Sequence, residues 1–305
     1  MEKIIQSYYP TQDLQELLLE CIADKAAEPT LWSGMTLLVH RMLGGSNPHI
    51  DRLCALTELA ILALDIMDDL QDQDNLQKVW MQRPQPYVLN AMVGLLMAVS
   101  AELSALRAAD PQQRFPDAGE FGRLIAVAIN GQQTDLALTV QTEHEYVEMV
   151  HKKSCMLIRI AFYFGLGALP KEAVDEDKEQ SLYQIADHIG LMAQIRNDTA
   201  DVTRCDTKND LLGKKRTLPI LFMLSDPELE LPILADYYAN TVSREQFAEQ
   251  LDACLDYVQR SGCIPYCEFI QQLQYKRALD ILKQLPLVAP WKTKFQTEVL
   301  DMFGG

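Results

Sequence analysis

Apolar residues recur at intervals of three and four along most of the chain, and hardly any alternating β-branched run interrupts them. Helices satisfy that pattern and strands do not, so the expected fold is all-α. Helices are expected over residues 11–27, 31–43, 50–75, 86–109, 117–141, 143–168, 177–204, 217–224, 229–238, 243–261, 264–285 and 289–303. Breaks are set by Gly44-Gly45, Pro84 and Pro86, Pro111 and Pro116, Pro170 and the polar stretch 205–216. The helix over 50–75 is apolar nearly all round between Leu56 and Met67, which places it at the centre of a bundle. With 305 residues, 48% of them hydrophobic, the chain can bury a large core. It has no Gly/Ser-rich linker, low-complexity tract or internal repeat, so a single domain over 1–305 is expected.

The formal net charge of −16 argues against nucleic acid or an anionic membrane surface as a partner. An acidic protein that takes an anionic substrate needs something to invert the local field, and a bound divalent metal does this. The N-terminus lacks the apolar core and cleavage site of a signal peptide, and no stretch of about 18 apolar residues is apparent. A soluble, cytoplasmic protein without a transmembrane segment is therefore expected. Seven cysteines, an odd number spread widely, read as reduced thiols in helices. Cys263 and Cys267 sit four apart with no second Cys or His pair to complete a zinc site, and read as structural.

Two acidic clusters follow apolar helical segments. In the first, Asp65, Asp68, Asp69 and Asp72 are spaced so that their carboxylates share one helix face. Their mutual repulsion, and their opposition to the helix dipole at a C-terminal end, would both be relieved by a cation. Oxygen ligands alone suit Mg²⁺. These groups are expected to serve a metal and not the fold. The solvated acidic helix end is the plain alternative. In the second cluster, Asn197, Asp198 and Asp201 share a face with Gln194 one turn earlier. Lys153 and Lys215 are candidates to neutralise a diphosphate as point charges, against a plain surface reading of either lysine.

These residues resemble the trans-isoprenyl diphosphate synthase (polyprenyl synthetase) family over most of the chain. The resemblance rests on Gly44-Gly45, Glu58, Asp68-Asp69-x-x-Asp72, Gly131-Gln132-x-x-Asp135, Tyr146 followed by Lys153-Ser154, Gln194-Ile-x-Asn197-Asp198-x-x-Asp201 and Lys215-x-Thr217-Leu-Pro. It implies a helical isoprenoid-synthase bundle with a central cavity. It further implies two or three Mg²⁺ ions on Asp68, Asp69, Asp72, Asn197, Asp198 and Asp201, which grip the diphosphate of an allylic donor. Lys153, Gln194 and Lys215 match positions contacting that diphosphate, and Asp68, Asp69, Lys153 and Asp198 are the expected catalytic set. Ala63 and Leu64 match positions that limit prenyl-chain length, and the family's homodimer is implied as well.

Departures from the family pattern bear on the acceptor. Where the family has Gly-Gly-Lys-Arg, whose basic pair binds isopentenyl diphosphate, this chain reads Gly44-Gly45-Ser46-Asn47; of the family's Arg-Arg-Gly only Arg83 remains nearby. A second diphosphate would then lie beside the first without compensating cations. The stretch Leu64–Met81 and the loss at Ser46-Asn47 are similar to the ComQ-type peptide prenyltransferases of the bacterial competence, or quorum-sensing, system. That implies transfer of a geranyl or farnesyl group from an allylic diphosphate to a tryptophan of a precursor peptide. A chain-elongating prenyl diphosphate synthase, a class I terpene cyclase and a non-catalytic synthase subunit remain as alternatives.

Overall fold

The computed structural model describes residues 1–28, 31–206, 209–226 and 230–304, and among these there is no strand. The all-α expectation holds. The helices are α1 (Glu2–Tyr8), α2 (Gln12–Ala26), α3 (Leu31–Met42), α4 (Ile50–Asp72), α5 (Gln85–Ala109), α6 (Ala118–Leu136), α7 (Glu143–Lys152), α8 (Ser154–Gly167), α9 (Glu176–Val202), α10 (Leu218–Leu224), α11 (Pro232–Tyr238), α12 (Arg244–Ala248), α13 (Leu251–Arg260), α14 (Cys263–Gln284), α15 (Trp291–Phe295) and α16 (Asp301–Phe303). A π-helical turn, Gln296–Leu300, joins the last two.

The structure corrects several expectations. Helix α1 was not anticipated, and part of the expected 229–238 helix lies outside the described residues. The expected 50–75 helix stops at Asp72 because Gln73 and Asn75 take left-handed backbone angles. The expected 143–168 helix is two helices that break at Lys153, whose backbone is not helical. Residues 243–261 form α12 and α13. Six of the seven cysteines lie in helices as expected, but Cys205 is exposed beyond the end of α9. Helix α5 does satisfy the length and composition of a membrane-crossing helix, with under half of its most apolar window buried. Asn90, Ser100 and Glu102 interrupt that run, so it does not stand out as an unbroken apolar stretch.

Two compact units are present. The first comprises Met1–Ala126, Leu157–Gln184 and Leu282–Val299, the second Val127–Met156, Ile185–Ile281 and Leu300–Gly305. The divisions fall within helices α6, α8, α9 and α14 and not in linkers.

In the first unit, 14 of the 23 residues of α4 are buried, so α4 is its central element. The small polar pair Thr36 and Thr57 meets hydroxyl to hydroxyl at 2.8 Å, and Thr36 also donates to the Ala161 carbonyl at 3.0 Å. These bonds tie α3, α4 and α8 through groups that burial would otherwise penalise. His40 Nδ1 lies 3.1 Å from the Gly165 carbonyl, and Nε2 accepts the Asn47 N–H at 3.1 Å. That arrangement fixes the neutral tautomer with its proton on Nδ1.

The second unit packs Tyr237 against Phe247 face to face, with centroids 4.1 Å apart, and Phe222 against Tyr266 at 4.8 Å. Gly131 on α6 and Gly190 on α9 admit the α7–α8 junction. A Cβ on Gly131 would stand 2.4 Å from the Lys153 nitrogen, and one on Gly190 would stand 2.6 Å from Cys155 Cα. No larger residue fits either place without moving the junction.

Candidate active site

In the first unit the acidic motif occupies the last two turns of α4. Asp65 is not part of an open acidic face, because Lys25 reaches it at 2.8 Å. Asp68 and Asp72 are half-buried. Asp69 is buried, and its two oxygens accept the Trp80 indole N–H at 2.7 Å and the Asn75 side-chain amide at 2.6 Å. The left-handed turn after Asp72 brings both donors back to it. Burial raises the Asp69 carboxyl to about 7, despite these two bonds favouring the charged form. Asp69 therefore does hold the fold, contrary to expectation, since it satisfies the N–H of the fully buried Trp80.

Arg83 is exposed and pairs with Glu20, so the last remnant of the family's basic motif is engaged at the surface. Ala63 and Leu64 are buried in the first unit's core. Lys78 joins Asp24 at 2.7 Å and Glu28 at 2.5 Å and lies 5.2 Å from the Trp80 ring centroid. It thereby steadies the Trp80 turn.

In the second unit α9 carries the second motif, and its members differ sharply in environment. Asn197 is exposed, Asp201 is partly exposed and faces Arg204 at 3.8 Å, and Asp198 is buried. Gln194 donates to Asp198 Oδ1 at 2.6 Å, and the Tyr146 hydroxyl donates to Oδ2 at 2.6 Å. The Gln194 carbonyl oxygen in turn accepts from Ser154, which fixes the orientation of its amide. Burial raises the Asp198 carboxyl to about 6 in spite of both donors. Lys153, at the α7–α8 break, pairs with Asp135 of α6 at 2.6 Å. The sequence had marked both residues without joining them.

The loop before α10 supplies what sequence reasoning missed. Among the described residues two buried side-chain polar atoms lack a hydrogen-bond partner, Asp210 Oδ2 and Thr217 Oγ1, and both flank Lys215. Asp210 is pushed up to about 8, first by burial and next by the negative charge of Asp198, while Lys215 draws it down. A buried carboxylate oxygen with no donor, within electrostatic reach of the buried Asp198, suits a divalent cation or its bound water. The oxygen donors of Asp198 and Asp210 thus fit a hard divalent cation, the class to which Mg²⁺ belongs. Asp210 could have been noticed in the sequence as an acid five residues before Lys215, but nothing in the sequence shows that it is buried.

The polyprenyl synthetase profile matches residues 31–257: the chain belongs to the polyprenyl synthetase family and is a prenyltransferase of that family. Similar proteins include the tryptophan prenyltransferase ComQ of Bacillus subtilis strain 168, 26% identical over 295 residues, which are 94% of this chain and 92% of that protein. The tryptophan prenyltransferase ComQ of Bacillus spizizenii is 28% identical over 229 residues, 73% of this chain and 76% of its own length. A decaprenyl diphosphate synthase structure from Rhodobacter capsulatus has a TM-score of 0.78 at 17% identity, covering 99% of this chain and 93% of that one. The expected isoprenyl-synthase fold is the one observed.

Proposed function

We propose that this prenyltransferase is magnesium-dependent and transfers a geranyl or farnesyl group from an allylic diphosphate to a tryptophan of a short precursor peptide, as in maturation of a quorum-sensing pheromone. Relatives named as tryptophan prenyltransferases align over nearly the whole chain. The observation that carries the choice of acceptor is the state of Asn47. Its side chain donates to the Ala168 carbonyl at 3.1 Å and accepts the His49 N–H at 2.9 Å, so it is committed to holding its own turn. Ser46 beside it is exposed and uncharged. A second diphosphate placed at this turn would lack the basic pair at 46 and 47, and the Arg41 guanidinium there already donates to the Gly45 carbonyl at 3.2 Å. The shortfall in compensating charge costs on the order of several kcal/mol, whereas a neutral indole carries no such penalty.

Asp68, Asp69 and Asp72 in one unit, and Asn197, Asp198 and Asp201 with Asp210 in the other, are the groups that would hold two or three Mg²⁺ ions. When bound, the metal supplies charge neutralisation of the departing pyrophosphate. Tyr146 and Gln194 hold the Asp198 carboxylate in a fixed orientation. Lys153, oriented by Asp135, and Lys215 add positive charge for the same anion. Indole C3 attacks the allylic carbon and forms the new carbon–carbon bond. The tryptophan's own nitrogen then closes onto C2, and pyrophosphate takes the proton, so no strong base is required from the chain. The unpaired cysteines agree with a reducing cytoplasm. Exposed Leu89, Val93 and Met97, spaced by single turns on α5, supply an apolar stripe for a homodimer.

The test is incubation with geranyl or farnesyl diphosphate and Mg²⁺, offering isopentenyl diphosphate or Trp-containing peptides, with products identified by mass. A prenylated peptide and no elongation is the expected result. Longer prenyl diphosphates with no adduct on several Trp peptides would overturn the reading.

A further inference from the structure

His151, Cys155 and Asp187 come together at a place the prenyl-transfer chemistry does not use. His151 lies in the last turn of α7 and Cys155 in the first turn of α8, on either side of the break at Lys153, while Asp187 comes from α9. One ligand atom from each lies within 4.8 Å of the others. His151 Nδ1 stands 3.8 Å from Asp187 Oδ2, too far for a hydrogen bond. It is close to the ~3.4 Å edge of a tetrahedron whose ligands sit about 2.1 Å from a central zinc. The Cys155 thiol donates to the Asp187 backbone carbonyl at 3.2 Å, so the sulfur already reaches α9 at that residue, and metal binding would release the thiol proton. The missing Cβ of Gly190 allows that approach. His151, Asp187 and the neighbouring His188 also line a cavity of about 340 Å³ that Ile270 and Leu273 line as well.

From this geometry we infer that His151, Cys155 and Asp187 form a zinc-class metal site whose open fourth position faces the cavity. Thiolate and imidazole select a borderline transition metal and reject Mg²⁺, which takes oxygen ligands and water. Three protein ligands with one open position is the arrangement of a site that accepts water or a donor atom from a bound molecule. The metal would also clamp the two helices flanking Lys153 to α9, giving the break a fixed geometry. The inference stands apart from the magnesium clusters, which offer no sulfur.

Cobalt titration of the EDTA-stripped full-length chain tests it. With millimolar Mg²⁺ present to fill the carboxylate clusters, one further Co²⁺ per chain is expected, with the intense visible bands of tetrahedral coordination and a near-ultraviolet thiolate charge-transfer band. Zn²⁺ should displace it, and millimolar Mg²⁺ should not. Cys155→Ser should abolish the charge-transfer band, and Cys205→Ser should leave it intact. His151→Ala should weaken Co²⁺ binding by at least about tenfold, since removing even an outer partner of a metal ligand costs that much; this variant, at a half-exposed position, keeps the test valid should Cys155→Ser fail to fold. A weak octahedral spectrum in the wild-type chain, a thiolate band surviving Cys155→Ser, or unchanged affinity in His151→Ala would each overturn the assignment.

Discussion

The Tyr146 hydroxyl donates to Asp198 Oδ2 at 2.6 Å, joining α7 to the buried carboxylate of α9. Both groups are nearly excluded from solvent. Tyr146→Phe leaves that oxygen in a buried site without its donor, at a cost of about 1–3 kcal/mol. The lost bond favoured the charged carboxylate, so the Asp198 value rises further and the acid limb of the pH–rate profile moves to higher pH. Denaturant unfolding and the profile measure the two effects. An unmoved acid limb would show that Asp198 does not control it.

Asp68 and Asp69 stand next to each other and should behave differently. Asp68→Ala should reduce turnover to below about a tenth, the loss of one oriented charge group, while leaving far-ultraviolet circular dichroism and melting temperature near wild type. Asp69→Ala strands the Trp80 indole N–H and should destabilise by about 1–3 kcal/mol. Asp69→Asn, which keeps an acceptor oxygen, should recover most of that stability but not the activity. Equal stability of the Ala and Asn variants would show that the Trp80 bond is not the cause.

The metal-free protein should lose stability as pH rises above 6.5 toward about 8. Asp69 and Asp210 have folded values of about 7 and about 8 against 3.8 unfolded. The native state therefore binds more protons in that window, and stability present at lower pH is lost as pH passes through the folded values. His40 and His188, lowered by burial, act in the opposite sense below 6.5 and so do not mask the trend above it. Mg²⁺ with pyrophosphate should flatten the dependence and raise the melting temperature, by about 2.7 kcal/mol of added stability at a hundredfold excess over Kd; EDTA should cancel the rise. A melting temperature that climbs with pH in metal-free buffer would contradict the burial of these carboxylates.

Gly131→Ala should displace Lys153, because the added methyl would meet the Lys153 nitrogen at 2.4 Å. Overpacking of this kind costs about 1–3 kcal/mol. Turnover should fall by more than the stability loss explains, measured at a temperature where the variant is fully folded. A variant destabilised but as active as wild type would show that the position of Lys153 is not critical.

By itself the sequence determined the helical class, the central place of α4 within its unit and the two acidic motifs. Each is a matter of spacing along one helix, which fixes which side chains share a face. The tertiary structure alone decided what each face meets. It paired Lys153 with Asp135 and Asp65 with Lys25, returned Trp80 to Asp69 through a left-handed turn, and buried Asp210 Oδ2 without a donor. It also broke one expected helix at Lys153, where Gly131 and Gly190 make room for the chain to turn. Helical periodicity encodes a single element's surface, whereas burial, pKa and ligand convergence depend on neighbours distant in the chain.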